Sequence, residues 1–216
     1  MKVKVVLALL LIVVLIFLIY TFNIKNDIFY FNVMDKKYDY DTYNVLLNEN
    51  LDNVQKYISY EQDDYRVTDL IRDINDNIIV NNRKIQNILI KADIITLMIG
   101  NNELNYKIKN IDMTELFEYS NSLLEDLDDL FKLVRKYSKE KIFFIGFYNS
   151  NEYYEELYRY LNLRIKDMCD SYNIVYIDRL MNFSSKENVN IYKKIIKKYW
   201  FHCFLCYNIR ALNFYD

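Results

Sequence analysis

Glycine and proline are almost missing from this chain. At ordinary usage, a chain of this size carries roughly fifteen glycines and ten prolines. In 216 residues it has two glycines and no proline. Alanine occurs only at Ala8, Ala92 and Ala211, while Asn, Ile, Lys and Tyr abound, the pattern of an AT-rich coding bias. Under such a bias the 22 tyrosines count first as packing aromatics rather than as a dedicated stacking surface. Each glycine that resists the bias marks a backbone position that needs explaining.

Cysteine is scarce as well. Cys169, Cys203 and Cys206 are too few for a disulfide framework. Cys203 and Cys206 have CxxC spacing and follow His202. No second pair completes a four-ligand zinc site. A redox CxxC opens a helix after a strand, whereas this one lies a few residues from the end of the chain. Neither a metal nor a cofactor is expected. A net charge of -2 gives no general attraction to nucleic acid. No repeat or low-complexity linker divides the chain, and 52% hydrophobic content suits one core.

What is present begins with an apolar run. Lys2 and Lys4 precede uncharged residues from Val5 to Phe22, about eighteen residues, which nearly span a ~30 Å hydrocarbon layer. Leading lysines favour a cytoplasmic N-terminus. The closing Ile19-Tyr20-Thr21-Phe22 lacks the small residues of a cleavage site. The expectation is an uncleaved single-pass anchor over 1–23 in the cytoplasmic membrane, with an extracytoplasmic domain over 24–216.

Beyond the anchor, strand and helix patterns alternate. Ile28 to Val33, Val54 to Tyr60, Ile94 to Ile99, Ile142 to Ile145 and Ile174 to Ile177 are short apolar runs suited to buried strands. Helical spacing appears over Thr42 to Leu51, Val67 to Ile74 and Ile85 to Leu89. It returns from Asp112 onward and over Glu155 to Tyr172. Asp112 and Glu115 fit a capping box. Behind them Leu116, Phe117, Leu123, Leu124, Leu127, Leu130, Phe131 and Val134 make one stripe, opposite the solvated Glu125, Asp126, Asp128 and Asp129. This alternation predicts a parallel sheet with helices on both sides.

One glycine stands at a telling place. "ADIITLMIGNNEL" puts Gly100 where the central strand stops, followed by Asn101, Asn102 and Glu103. Ligands of open α/β sheets bind beyond the carboxyl ends of strands, and a sharp turn there with φ > 0 requires glycine. Gly-Asn-Asn is also plain turn chemistry, so spacing alone leaves both readings open.

The same segment resembles the third signature block, Gly-x-Asn-Asp, of the SGNH or GDSL-type hydrolases. "DYRVTDLIRDI" (64–74) resembles the stretch after the second block in lipase-like members from low-GC Gram-positive bacteria, and "YNIVYID" (172–178) falls at a suitable distance. The resemblance covers most of residues 28–180. It implies a flavodoxin-like, three-layer α/β/α sandwich and ester or acyl hydrolysis. It makes Asn102 the oxyanion asparagine and Gly100 the glycine before it. On the Gly-Asp-Ser block it lays Met34, Asp35 and Lys36, so a lysine stands for the nucleophilic serine. Asp63 or Asp64 stands where the second block has glycine.

No Asp-x-x-His occurs. The sole histidine, His202, has Tyr199 three residues before it, and the tail from about 184 departs from the family's closing helix. The resemblance thus implies an ester-hydrolase lineage with lost or weakened activity, surviving as a cell-surface binding domain. The competing reading is an active esterase or acylhydrolase whose nucleophile is Thr42, Ser59 or Thr68 with His202 as base. The ligand expected in either case is an ester, a lipid or a cell-wall glycan.

Overall fold

The computed structural model describes residues 28–35, 54–148 and 151–178. Strands β1 (Ile28–Met34), β2 (Val54–Glu61), β5 (Ile94–Met98), β6 (Lys141–Ile145) and β7 (Val175–Ile177) form one sheet in the order β2-β1-β5-β6-β7. Every neighbouring pair in it is parallel. The helices are α1 (Val67–Asn75), α2 (Ile85–Lys91), α3 (Asn101–Ile108), α4 (Met113–Tyr137) and α5 (Glu155–Ser171). Counting only the sheet's own strands, the order is 2-1-3-4-5, the flavodoxin-like winding.

Alternation along the strands sorts the core. Phe31 and Val33 of β1, Ile95 and Leu97 of β5, and Ile142 and Phe144 of β6 share one core with Leu70 and Ile74 of α1. The α4 stripe joins them through Leu127, Leu130, Phe131 and Val134, and α5 contributes Leu161 and Ile165; Phe117, expected in that stripe, is instead exposed and stacks on Tyr160 of α5. The Phe131 ring meets Phe144 edge-on, with centroids 5.2 Å apart. The opposite face of the strands is buried too. Tyr30, Asn32 and Thr96 are fully covered there, and the Tyr30 hydroxyl and Thr96 Oγ1 lie 2.7 Å apart. Burial on both faces explains why these strands read as unbroken apolar runs.

Asp112 caps α4 as expected, accepting the N–H groups of Thr114 and Glu115. The reciprocal bond from Glu115 is not made among the described residues, so the box is half-formed. At the far end of α4, the half-buried Arg135 donates to the carbonyls of Tyr172, Asn173, Ser138 and Glu140. It thereby ties the entries of β6 and β7 together.

Two elements go beyond the expected set. Strands β3 (Ile79–Val80) and β4 (Arg83–Lys84) form an antiparallel pair, closed by Asn81 at φ 48° and Asn82 at φ 60°. Two successive left-handed residues make a type I′ turn, in which asparagine substitutes for the missing glycines. The other is α3, which begins directly at Gly100. The expected helix at Thr42 to Leu51, the anchor and the tail from 184 lie outside the described residues. Among the described residues no helix is long and apolar enough to cross a membrane.

Leu127 is fully buried at the centre of the α4 stripe. A carboxylate there has no partner, so Leu127→Asp should destabilise the domain by about 3–5 kcal/mol in denaturant titrations. A change within 1 kcal/mol would contradict this packing.

Candidate functional site at the carboxyl edge of the sheet

In a 2-1-3-4-5 sheet the chain winds one way from β1 to β2 and the other way from β5 onward. The crevice between the carboxyl ends of β1 and β5 is the topological switch point. Asp35 follows β1 and Gly100 follows β5, so both sequence-selected positions fall there. Asp35 is buried. Its N–H donates to the Met98 carbonyl at 3.0 Å, and its carboxylate Oδ2 accepts the Asn102 N–H at 2.9 Å. That N–H belongs to the unsatisfied first turn of α3, where a negative charge also meets the positive end of the helix dipole.

Gly100 has φ 97° and ψ -25°. A Cβ on it would lie 2.9 Å from Phe147 Cζ and 3.4 Å from Val67 Cγ2. Backbone conformation and space therefore both require glycine. The other left-handed positions in the described chain are filled by Asp64, Asn77, Asn81, Asn82 and Asn173, at φ between 48° and 60°, where aspartate and asparagine are tolerated. Gly100 is the position asparagine cannot take. Gly146 has a separate cause: the Tyr176 ring packs where its Cβ would stand.

From that turn the three following side chains diverge. Asn101 is buried and accepts the Tyr148 N–H at 2.9 Å. Asn162 holds the adjoining Phe147 by its N–H at 2.8 Å and its carbonyl at 2.9 Å. Asn102 turns toward a cavity of about 400 Å³, also lined by Asp64, Arg66, Glu103, Tyr106, Lys107 and Tyr119. Its side-chain amide has no hydrogen bond to the described residues. Glu103 reaches back across the fold, accepting the Val67 N–H at the start of α1 at 3.0 Å and the Tyr119 hydroxyl of α4 at 2.7 Å.

The expected residues are thus partly assembled. Asn102 and Asp64 line one cavity, Asp35 lies buried against the backbone of Asn102, and Gly100 is buried beneath Phe147 rather than on the rim. Asp64 has φ 55°, a left-handed conformation that glycine adopts freely. That conformation falls at one of the two positions matched to the second-block glycine. Lys36 and His202 lie outside the described residues, as do Thr42 and the CxxC pair. Ser59 sits within β2 and donates to Glu61, away from the cavity lining; Thr68 is exposed on α1. Among the described residues no cluster of His, Cys, Asp and Glu could hold a metal.

Glu103, which stands where the resembled block has aspartate, has a role that the sequence did not show, as a bridge between α3, α1 and α4. The available signal was the N-cap of α1, where Arg66 stands in place of Ser, Thr, Asn or Asp.

No family model and no curated protein sequence matches the chain. Solved structures do. Axe2, an acetylxylan esterase from Geobacillus stearothermophilus, matches with a TM-score of 0.52 at 16% identity, over 71% of this chain and 76% of its own. The lipase Lip_vut3 from a goat rumen metagenome matches with a TM-score of 0.57 at 15% identity, over 74% of this chain and 84% of its own. The chain has an SGNH/GDSL-like fold.

Burial raises the proton affinity of Glu103 above its ordinary value of 4.5, and the bonds from Val67 and Tyr119 offset this only in part. A carboxyl whose folded pKa is raised contributes stability that is complete below the unfolded value and is lost as pH rises through the folded value. Glu103→Gln keeps the shape and removes the titration. The stability of wild type relative to Glu103→Gln, read from urea unfolding between pH 4.5 and 8, should therefore be greatest at the acid end and decline toward neutrality. A difference independent of pH would refute the buried carboxyl.

Proposed function

We propose that this chain is a membrane-anchored, extracytoplasmic SGNH/GDSL-type domain of ester-hydrolase lineage, with hydrolytic activity lost or severely weakened and a binding role retained. The observation that carries the reading is the cavity lining. It keeps the Asn102 amide and the left-handed Asp64, the frame for an oxyanion, but among the described residues it contains no serine, threonine, cysteine or histidine.

Acyl transfer needs a nucleophile and a base to take its proton. Oxyanion donors act only on charge that nucleophilic attack creates. The residue after Asp35 is Lys36, whose ammonium cannot replace a serine hydroxyl, and the sole histidine, His202, lacks the aspartate three residues before it. Within the same reading, Val5 to Phe22 behind Lys2 and Lys4 is the transmembrane anchor.

The full chain in detergent, assayed with short p-nitrophenyl acyl esters, should show no hydrolysis above buffer. Lys36→Ser should not restore it, because the serine still lacks a base. Saturable turnover by wild type that disappears in Asn102→Ala would establish instead an active esterase with a nucleophile elsewhere in the chain.

A further inference from the structure

The anchor proposed above sets where the cavity can face. Its apolar run ends at Phe22 and β1 begins at Ile28, leaving Asn23 to Asp27 between them. Five residues at full extension reach about 17 Å. They join the amino end of β1, and because every strand of the sheet is parallel, the cavity lies at the opposite edge. Helix α4 measures the distance between the two ends of the domain: its 25 residues span about 37 Å. To lay the cavity mouth on the leaflet, the start of β1 would have to rise above the surface by most of that height. The tether is too short.

The lining agrees. Asn102 supplies an amide without a hydrogen bond to the described residues, Asp64 a carboxylate, and Arg66 and Lys107 cations. Among the described residues, its apolar surface comes from the ring faces of Tyr106 and Tyr119 and from side-chain stems. Tyr106 is 66% exposed, and the Lys107 ammonium sits 5.0 Å from the Tyr119 ring centroid. Donors and acceptors beside exposed aromatic faces match hydroxyl groups on sugar rings. Among the described residues, no aliphatic side chain lines the cavity to receive an acyl chain.

We infer that the cavity opens away from the anchoring bilayer and binds a hydroxyl-rich glycan on its outer side rather than lipid of the leaflet. This rests on the anchored, extracytoplasmic reading and is independent of whether hydrolysis survives.

The test uses the full chain carrying Cys203→Ser and Cys206→Ser, with Cys169 buried. It is reconstituted in phosphatidylcholine–phosphatidylglycerol nanodiscs containing headgroup-nitroxide lipid. A fluorophore is placed at Lys139→Cys, beyond the end of α4, or at Asn110→Cys, just before its start; both positions are exposed. Quenching should be several-fold stronger at Lys139 than at Asn110. Equal quenching, or stronger quenching at Asn110, overturns the orientation. No quenching at either position shows that the anchored reading itself has failed, and the inference falls with it.

Calorimetric titration of the same nanodiscs with chitotetraose should give saturable binding, weakened at least five-fold by Asn102→Ala. No heat up to millimolar sugar, or saturable binding of short-chain phosphatidylglycerol in its place, overturns the glycan assignment.

Discussion

The architecture of the candidate site depends on one contact: the Gly100 backbone against the Phe147 ring. At φ 97° the chain leaves β5 and enters α3 at once, with room only for a hydrogen beneath Phe147. Because α3 starts there, its first N–H groups point at the end of β1, where Asp35 accepts that of Asn102. Because Asn101 follows directly, its side chain can hold Tyr148 after β6. Because Glu103 is next, its carboxylate can accept the Val67 N–H at the start of α1. One turn thus couples the carboxyl ends of β1, β5 and β6 to the start of α1. The cavity is the space this coupling leaves in front of Asn102.

The two carboxylates show how the fold accommodates buried charge. Asp35 and Glu103 each sit at a helix N-terminus, where unsatisfied N–H groups and the helix dipole stabilise an anion. Their environments still differ. Glu103 lies deep enough that desolvation outweighs its two hydrogen bonds and raises its pKa. In a hydrolase both oxyanion donors and a proton acceptor must converge on one reacting atom. Here Asp35 and Glu103 hold helix N-termini in place, and the described lining of the cavity is mainly polar side chains and tyrosine rings.

Legible in the sequence were the elements with strong periodicity. The buried strands read as apolar runs because both faces are covered, and α4 read clearly because its leucine stripe is long. The candidate edge was legible because the chain's bias against glycine made Gly100 conspicuous. Its companion α3 was not legible: NNELNYKI is mostly polar and has only Leu104 fully buried, so its existence is set by the turn and the caps, not by an apolar stripe. The hairpin at Asn81-Asn82 was missed for a related reason, since asparagine does there what glycine usually announces. Glu103's bridge was missed because it joins residues 36 positions apart, and no local pattern encodes such a pairing.

The most direct test of this account is a double-mutant cycle between Gly100 and Phe147. Phe147→Leu removes the ring atoms a Cβ at residue 100 would meet. Gly100→Ala alone should cost on the order of 3 kcal/mol, the sum of left-handed strain and overpacking. In the Phe147→Leu background its cost should fall by about 1 kcal/mol or more, leaving mainly the strain. If Gly100→Ala is tolerated within about 0.5 kcal/mol, or if the two penalties simply add, the turn does not hold the site together and the account fails.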